Sequence, residues 1–243
     1  MRHLPLTIVL AASQAFARGQ VKLEDDGGSL ASNQIHLMGL LAALSLVPFA
    51  IMMLTSFSKI VVVLSIVRSA IGTQQAPPTM VLTGLAAVLS ATVMTPTFEK
   101  MWVSSRDAYS QAGASPELFE RLDGIGQPLR EFLVKNGSPE ERARFADMAR
   151  ELRPAEESGL VSESDLAVVV PAFVITELKE AFIIGFLIFL PFLVLDMLMA
   201  NVLLALGMQT LSPSQVSLPF KILLFVAVDG WSLLARGLIL AYR

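Results

Sequence analysis

The chain has 243 residues, 54% of them hydrophobic, and its mean hydropathy of +0.64 is well above that of an ordinary globular domain. A net charge of −3 leaves no footprint for nucleic acid, and the lack of cysteine excludes disulfides, thiolate metal sites and cysteine nucleophiles. Charge is also segregated: of 18 basic and 21 acidic residues, 9 and 14 lie between Thr97 and Asp165, so the remainder is nearly uncharged and membrane-like.

Residues 1–20 carry the marks of a secretory signal. Arg2 and His3 start it, Leu4 to Ala12 is a short apolar run, and Ala15-Phe16-Ala17 is a small-x-small site with cleavage expected at Ala17. The run is shorter than the ~20 residues a span needs. Residues 18–34 are polar and glycine-rich and read as a flexible periplasmic lead-in. Residues 35–96 read as a first apolar helical hairpin. Its outgoing arm, Ile35–Leu54, is expected to kink at Pro48. Thr55-Ser56-Phe57-Ser58-Lys59 interrupts the apolarity and Ile60–Val67 resumes it. Gly72–Pro78 (GTQQAPP) is the bend. Met80–Met94 returns, with Gly84-Leu85-Ala86-Ala87 suited to close helix packing.

Residues 97–165 are a polar insertion of two or three short amphipathic helices, expected on the periplasmic side. Ser115-Pro116-Glu117 reads as an N-cap with proline at N1, and Ser138-Pro139-Glu140-Glu141 as a capping box completed by Glu141. Phe145, Met148 and Leu152 follow at helical spacing and give one apolar face. Residues 166–243 read as a second hairpin. Leu166–Thr176 contains Pro171, Glu177-Leu178-Lys179-Glu180 is a charged knot, and Ala181–Met199 contains Pro191 and Asp196. A bend opens at Gly207 and runs through Pro219, and a helix from Phe220 to Tyr242 carries Asp229 and Gly230. The fold expected is all-α: an integral membrane protein of two long kinked helical hairpins with a small helical periplasmic insertion.

No constellation supports catalysis, and the chain is read as a non-enzyme without cofactor or metal. The histidines, His3 and His36, have no carboxylate cluster beside them, so zinc sites and histidine-based triads are unavailable. Gly124-Ile125-Gly126 is too short for a phosphate loop. An intramembrane aspartyl pair of Asp196 and Asp229 is outweighed by ion-pair roles for both. Charges inside apolar stretches cost several kcal/mol unless paired or wet. Lys59 and Lys221 can snorkel, whereas Asp196 and Asp229 sit deeper. The expected interface ion pairs are drawn from Glu177, Lys179, Glu180, Asp196, Lys221 and Asp229, with Glu177 or Glu180 meeting Lys221 or Lys179 across neighbouring helices and holding subunits together.

Four stretches in the same order carry a resemblance: Leu46–Leu82 (LVPFAIMMLTSFSKIVVVLSIVRSAIGTQQAPPTMVL), Pro171–Met197 (PAFVITELKEAFIIGFLIFLPFLVLDM), Gly207–Trp231 (GMQTLSPSQVSLPFKILLFVAVDGW) and the closing GLILAYR. The chain resembles the FliP/SctR family of type III secretion export gates, and the ending GWSLLARGLILAY favours the injectisome branch. The resemblance implies a core subunit of the gate at the bacterial inner membrane, several copies (a pentamer in the family) assembling with SctS/FliQ-type and SctT/FliR-type subunits. Together they form a channel for unfolded exported proteins and work with SctU/FlhB-type and SctV/FlhA-type components. It also implies hairpins that sit largely above the membrane plane in the assembled gate, and bends that face the cytoplasmic side. The family's loop after the Ala-Leu-Gly-Met turn is often methionine-rich and forms a gasket. Here that loop is Met208, Gln209, Thr210 and Leu211, in which Met208 is the one methionine that remains. The alternative is a self-contained polytopic transporter for a small solute, against which about four apolar arms are too few to enclose a pathway.

Overall fold

The structure, a computed structural model, describes residues 29–73, 76–110, 118–154, 159, 161–208 and 210–243. The expected signal with Ala17, the cap Ser115-Pro116-Glu117 and Gln209 lie outside the described residues. Among the described residues every regular element is a helix: α1 (Ser29–Leu54), α2 (Phe57–Ile71), α3 (Thr79–Ser110), α4 (Leu118–Asn136), α5 (Pro139–Glu151), α6 (Leu166–Ala205), α7 (Pro213–Ala227) and α8 (Gly230–Leu240). The chain divides into two units, Met1–Val47 and Pro48–Arg243. Helix starts at Ser29, so the last residues of the expected lead-in are helical.

α2 is the hub of the second unit. Ile60, Val63 and Val67 are fully buried and Leu64 and Ala70 nearly so, among side chains of α3, α6, α7 and α8. Its run of β-branched residues is a poor helix former in water. In apolar surroundings the backbone must satisfy its own hydrogen bonds, and a helix does this within one segment. The helix starts after a break at Thr55-Ser56, within the interruption expected at Thr55–Lys59, and α1 carries Pro48 inside it. Thr55 Oγ1 donates back to Ile51 O (2.6 Å), and Ser56 Oγ donates to Ser90 Oγ on α3 (3.0 Å). The helix ends at Gly72, whose φ of 86° needs a residue without Cβ strain.

Packing here rests on close approach, because apolar lipid offers no hydrophobic drive between helices. At Gly185 on α6, an added Cβ would lie 2.4 Å from Ile66 Cδ1 and 2.9 Å from Ile66 Cγ2 on α2. Gly185→Ala is expected to cost about 1–3 kcal/mol, read as a lower thermal midpoint in detergent. Ile66→Ala in the same chain should recover part of it. An unchanged midpoint for Gly185→Ala would show that α2 and α6 are not held by this contact.

α3 runs through Pro96 to Ser110, so the boundary placed between residues 96 and 97 falls inside one helix. Proline removes one ladder bond, and the helix stays packed on both sides of it: Met94 before it is buried with Phe132, Leu133 and Phe173, and Thr97 after it is buried as well. α4 and α5 do not hang free. They cover the first turns of α6, where Val168, Val169, Ala172 and Phe173 are fully buried. The turn between them is tight, since a Cβ on Gly137 would sit 2.8 Å from Leu133 O and 3.6 Å from Phe173 Cα.

The capping box at Ser138 is not formed. The Ser138 N–H donates to Thr176 Oγ1 on α6 (3.0 Å), and Glu141 pairs elsewhere. The apolar face expected from Phe145, Met148 and Leu152 is also redrawn. Ala146 is buried, with Phe145 and Ala149 against Val161 and Val168, while Met148 is 44% and Leu152 88% exposed. Small alanines let α5 lie close on α6, and the longer side chains are left outside.

α6 is continuous through Pro171, the charged knot and Pro191. The bend after it is shorter than expected, because α7 starts with Pro213 at its first turn and carries Pro219 inside. The single helix expected from Phe220 to Tyr242 is broken between α7 and α8 by a 60° bend. Asp229 sits there at φ 50°, and Gly230 is needed beside it, since a Cβ would fall 2.3 Å from Phe225 Cε2. Phe225 and Trp231 meet edge to face across the break, 5.1 Å apart. Leu37–Leu54, Thr79–Arg106 and Leu166–Ala205 are long and apolar enough to cross a membrane, and α7 with α8 makes a broken fourth candidate.

Candidate functional site

Three charged crossings lie on α6. The first is buried. Glu177 and Glu180, three residues apart, project from one face of the helix toward Lys59 of α2. Lys59 Nζ is 2.9 Å from Glu177 Oε1 and 2.7 Å from Glu180 Oε2. Tyr242, beyond α8, donates its hydroxyl to Glu177 Oε2. The Lys59 ammonium lies over the Tyr242 ring, 4.2 Å from its centroid, and that ring stacks on Phe132 of α4 at 6.0 Å. Burial first, then the neighbouring Glu177 carboxylate, raises the Tyr242 phenol well above its ordinary pKa, so it stays a donor. One cation serves two carboxylates. Of the two, Glu180 is 47% exposed and Glu177 is fully buried. Four elements are tied at this point: α2, α4, α6 and the segment after α8.

The second crossing is near the other end of α2. Lys221 of α7 is 2.6 Å from Asp196 Oδ2 of α6 and donates to Ala70 O (3.2 Å). Ala70 O is one of the carbonyls that the last turn of α2 leaves without a helical partner, so a lysine there also complements the helix dipole. Ser217 donates to the other Asp196 oxygen. The third crossing is shallower: Glu141 of α5 lies 3.6 Å from Lys179 and 3.4 Å from Arg144.

These pairs differ from the expected ones. Glu177 and Glu180 meet Lys59, not Lys221 or Lys179, and Lys221 meets Asp196. The reason is length: Lys59 and Ala70 mark sites roughly 16 Å apart at the ~1.5 Å rise of a helix, beyond the reach of one lysine. Nor do Lys59 and Lys221 snorkel, being 2% and 3% exposed. Lys59 as a centre, Tyr242 and Ser217 were missed by sequence reasoning. The available signal for Tyr242 was its place at the end of an apolar helix, where a buried phenol needs an acceptor.

The other expected site residues lie at the surface. Met208 and Leu211, at the turn between α6 and α7, are about half exposed (48% and 49%), with Thr210 exposed beside them. Asp229 is exposed at the α7–α8 bend and makes no ion pair among the described residues. Among the described residues no group of three or more metal-ligating side chains converges.

Comparison with known proteins places this architecture. The model of the FliP family matches residues 40–238. The chain belongs to the FliP family. It is 45% identical over 203 residues to the hypersensitivity response secretion protein HrcR of Ralstonia nicotianae, a match covering 83% of this chain and 94% of that one. It is 41% identical over 215 residues to Yop proteins translocation protein R of Yersinia pestis, covering 86% and 97%. It is also 41% identical over 252 residues to the flagellar biosynthetic protein FliP of Caulobacter vibrioides, covering 100% and 92%. All three charged crossings fall within or beside the span matched to the FliP family, as does the Gly207–Trp231 stretch.

Proposed function

We propose that this FliP-family chain is a core subunit of a type III secretion export gate. Several copies assemble with SctS/FliQ-type and SctT/FliR-type subunits into a helical channel that carries unfolded proteins across the bacterial inner membrane. The observation that carries the reading is the similarity, over nearly the whole chain, to proteins named for secretion and translocation. The geometry supports it. α6 pairs Glu177 and Asp196 within the chain, while Phe182, Phe186, Leu190, Val194 and Leu198, four residues apart, leave a broad exposed apolar surface along it. Faces of this size mark contact with lipid or protein. In gentle detergent with its partner genes co-expressed, the chain is expected in a complex many times its own mass. Recovery as monomer alone would sink the reading.

The ending GWSLLARGLILAY supports the injectisome branch. Loss of the gene is then expected to stop effector secretion and spare motility, and the reverse outcome would assign it to flagella. The α4–α5 insertion is proposed to lie on the periplasmic side and the bends near Gly72 and Gly207 toward the cytoplasm, supported by Arg68 beside the first bend under the positive-inside rule. A reporter within Ser138–Arg150 that scored cytoplasmic would reverse this.

Met208 and Leu211 are proposed to line the constriction, with Gln209 and Thr210 in the same loop. Unbranched methionine is apolar and deformable and closes on irregular surfaces. Deleting Met208–Thr210 is expected to leave assembly intact and make the membrane permeable to small dyes. Normal dye exclusion with normal secretion would show that the loop is not the seal.

Glu177, Asp196 and Lys221 are buried or half-buried in pairs, whereas Lys179, Glu180 and Asp229 are exposed and accessible to neighbouring subunits, the first two while also holding partners within the chain. Lys179→Ala and Glu180→Ala are expected to weaken the complex on native gels more than they lower the amount of chain, and equal losses would count against an interface role.

A further inference from the structure

We infer that copies of this chain join head to tail: an apolar stripe on α6 of one copy lies in the groove between α6, α7 and α8 of the next, and Glu180 of the first meets Arg236 of the second. This rests on the reading of the chain as one of several copies in an export gate.

The stripe follows from spacing. Glu180, Ile183, Leu187, Leu190, Val194 and Met197 are alternately three and four residues apart, the interval that keeps side chains in one line along a helix. The five apolar members are 37–59% exposed and extend roughly 21 Å at the ~1.5 Å rise of a helix. Glu180 continues the line as a carboxylate that is 47% exposed. The groove is a separate surface of about 470 Å³, lined by apolar side chains and glycine, among them Phe225, Leu233 and Leu238. Its α6 wall, Ile184, Ile188 and Phe192, lies roughly a third of a turn round the helix from the stripe. Joining two different patches makes a heterologous contact. Each copy gives its stripe to one neighbour and its groove to the other, so the contact extends past two copies and closes as a ring or winds as a helix.

Charge and level both agree with this pairing. Lys59 is one cation against Glu177 and Glu180, so the cluster is one positive charge short. Arg236, on α8 between the groove residues Leu233 and Gly237, is exposed and has no salt bridge among the described residues. An arginine supplied by the next copy brings the cluster to neutrality through Glu180, its exposed member. Tyr242, just past α8, meets Glu177, and α8 lines the groove with Ile184 to Phe192, so α8 runs back toward the Glu177 end of α6. From that shared level, Glu180 and Leu187 stand about 4.5 and 15 Å along α6, and Arg236 and Leu233 about 9 and 13.5 Å along α8. Copies related by rotation about an axis along these helices keep those levels. Leu187 then arrives opposite Leu233, and Glu180 within the reach of an arginine side chain. Gly237 has no atom within 4 Å of where a Cβ would be, which leaves room for the incoming helix.

The test uses the complete chain co-expressed with the partner genes. The chain has no cysteine of its own. Leu187→Cys combined with Leu233→Cys is expected to give, on oxidation, a ladder at two, three and more chain masses that collapses on reduction. Either substitution alone is expected to stay at one chain mass. A doubled mass from a single cysteine would mean a two-fold contact, and no ladder from assembled chain would mean that the groove holds a lipid chain or another subunit; each result overturns the proposal. Arg236→Glu is expected to lower the assembled fraction about tenfold at an unchanged amount of chain, and Arg236→Lys to stay within about twofold of wild type. An Arg236→Glu chain that assembles as wild type does would overturn the ion pair. If wild type assembles and these results fail, the contact is wrong and the gate reading stands. If wild type stays monomeric, the gate reading falls and the contact with it.

Discussion

Replacing Lys59 with methionine is expected to be the most damaging single change in the second unit, costing about 3–5 kcal/mol, the usual penalty for leaving a buried charge without its partner. The methionine fills the same space, so the loss is electrostatic. Glu177, fully buried, would keep the Tyr242 hydroxyl on one oxygen and lose the Lys59 ammonium beside the other. Glu180 loses the same cation but is 47% exposed, so water takes much of its share. The double change Lys59→Met with Glu177→Gln removes both charges and is expected to recover more than half of the loss, because a neutral amide still accepts from Tyr242. Thermal unfolding of the purified complex in detergent reads both effects. Equal midpoints for wild type and Lys59→Met would show that Lys59 does not hold α2 to α6.

The second large effect separates the two partners of the Lys221–Asp196 pair. Removing either one breaks a 2.6 Å contact, but the charge left behind differs. After Lys221→Met, Asp196 retains the Ser217 hydroxyl and is 28% exposed on its side chain. After Asp196→Ala, Lys221 is left at 3% exposure with only the Ala70 carbonyl. Asp196→Ala is therefore expected to cost more, about 3 kcal/mol against about 1–2 for Lys221→Met. Lys221→Met should in turn show its own signature, faster amide exchange in the last turn of α2, where it supplies a donor to Ala70 O. If Lys221→Met is the more destabilising of the two, the asymmetry of burial is not what sets the cost.

Much of this protein was readable from residues alone. Apolar stretches long enough to span a bilayer, separated by glycine and proline, fix an all-helical membrane chain, since only segments that satisfy their own backbone persist in lipid. The order of those stretches was enough to recognise the FliP family, and Gly72 and Gly207 marked turns that the structure contains. These are properties of a segment and its immediate neighbours in sequence.

What the sequence did not decide are the matters set by distant segments meeting. Pro96 and Pro219 each looked like an end, yet α3 and α7 pass through them, because packing on both sides outweighs one lost ladder bond. Asp229 and Gly230 looked like passengers in one helix, yet the Phe225 ring occupies the space a Cβ at Gly230 would need, and the helix bends there. Glu141 was placed in a capping box, but Thr176 from α6 satisfies the Ser138 N–H instead. The partner of each buried charge was likewise undecided. A lysine's sequence states that it needs a carboxylate, but which one depends on where α2, α6 and α7 cross, and Lys59 and Lys221 are held near opposite ends of α2. Local chemistry is written in the sequence position by position, whereas pairing is a statement about distance, and distance exists only once the helices are packed.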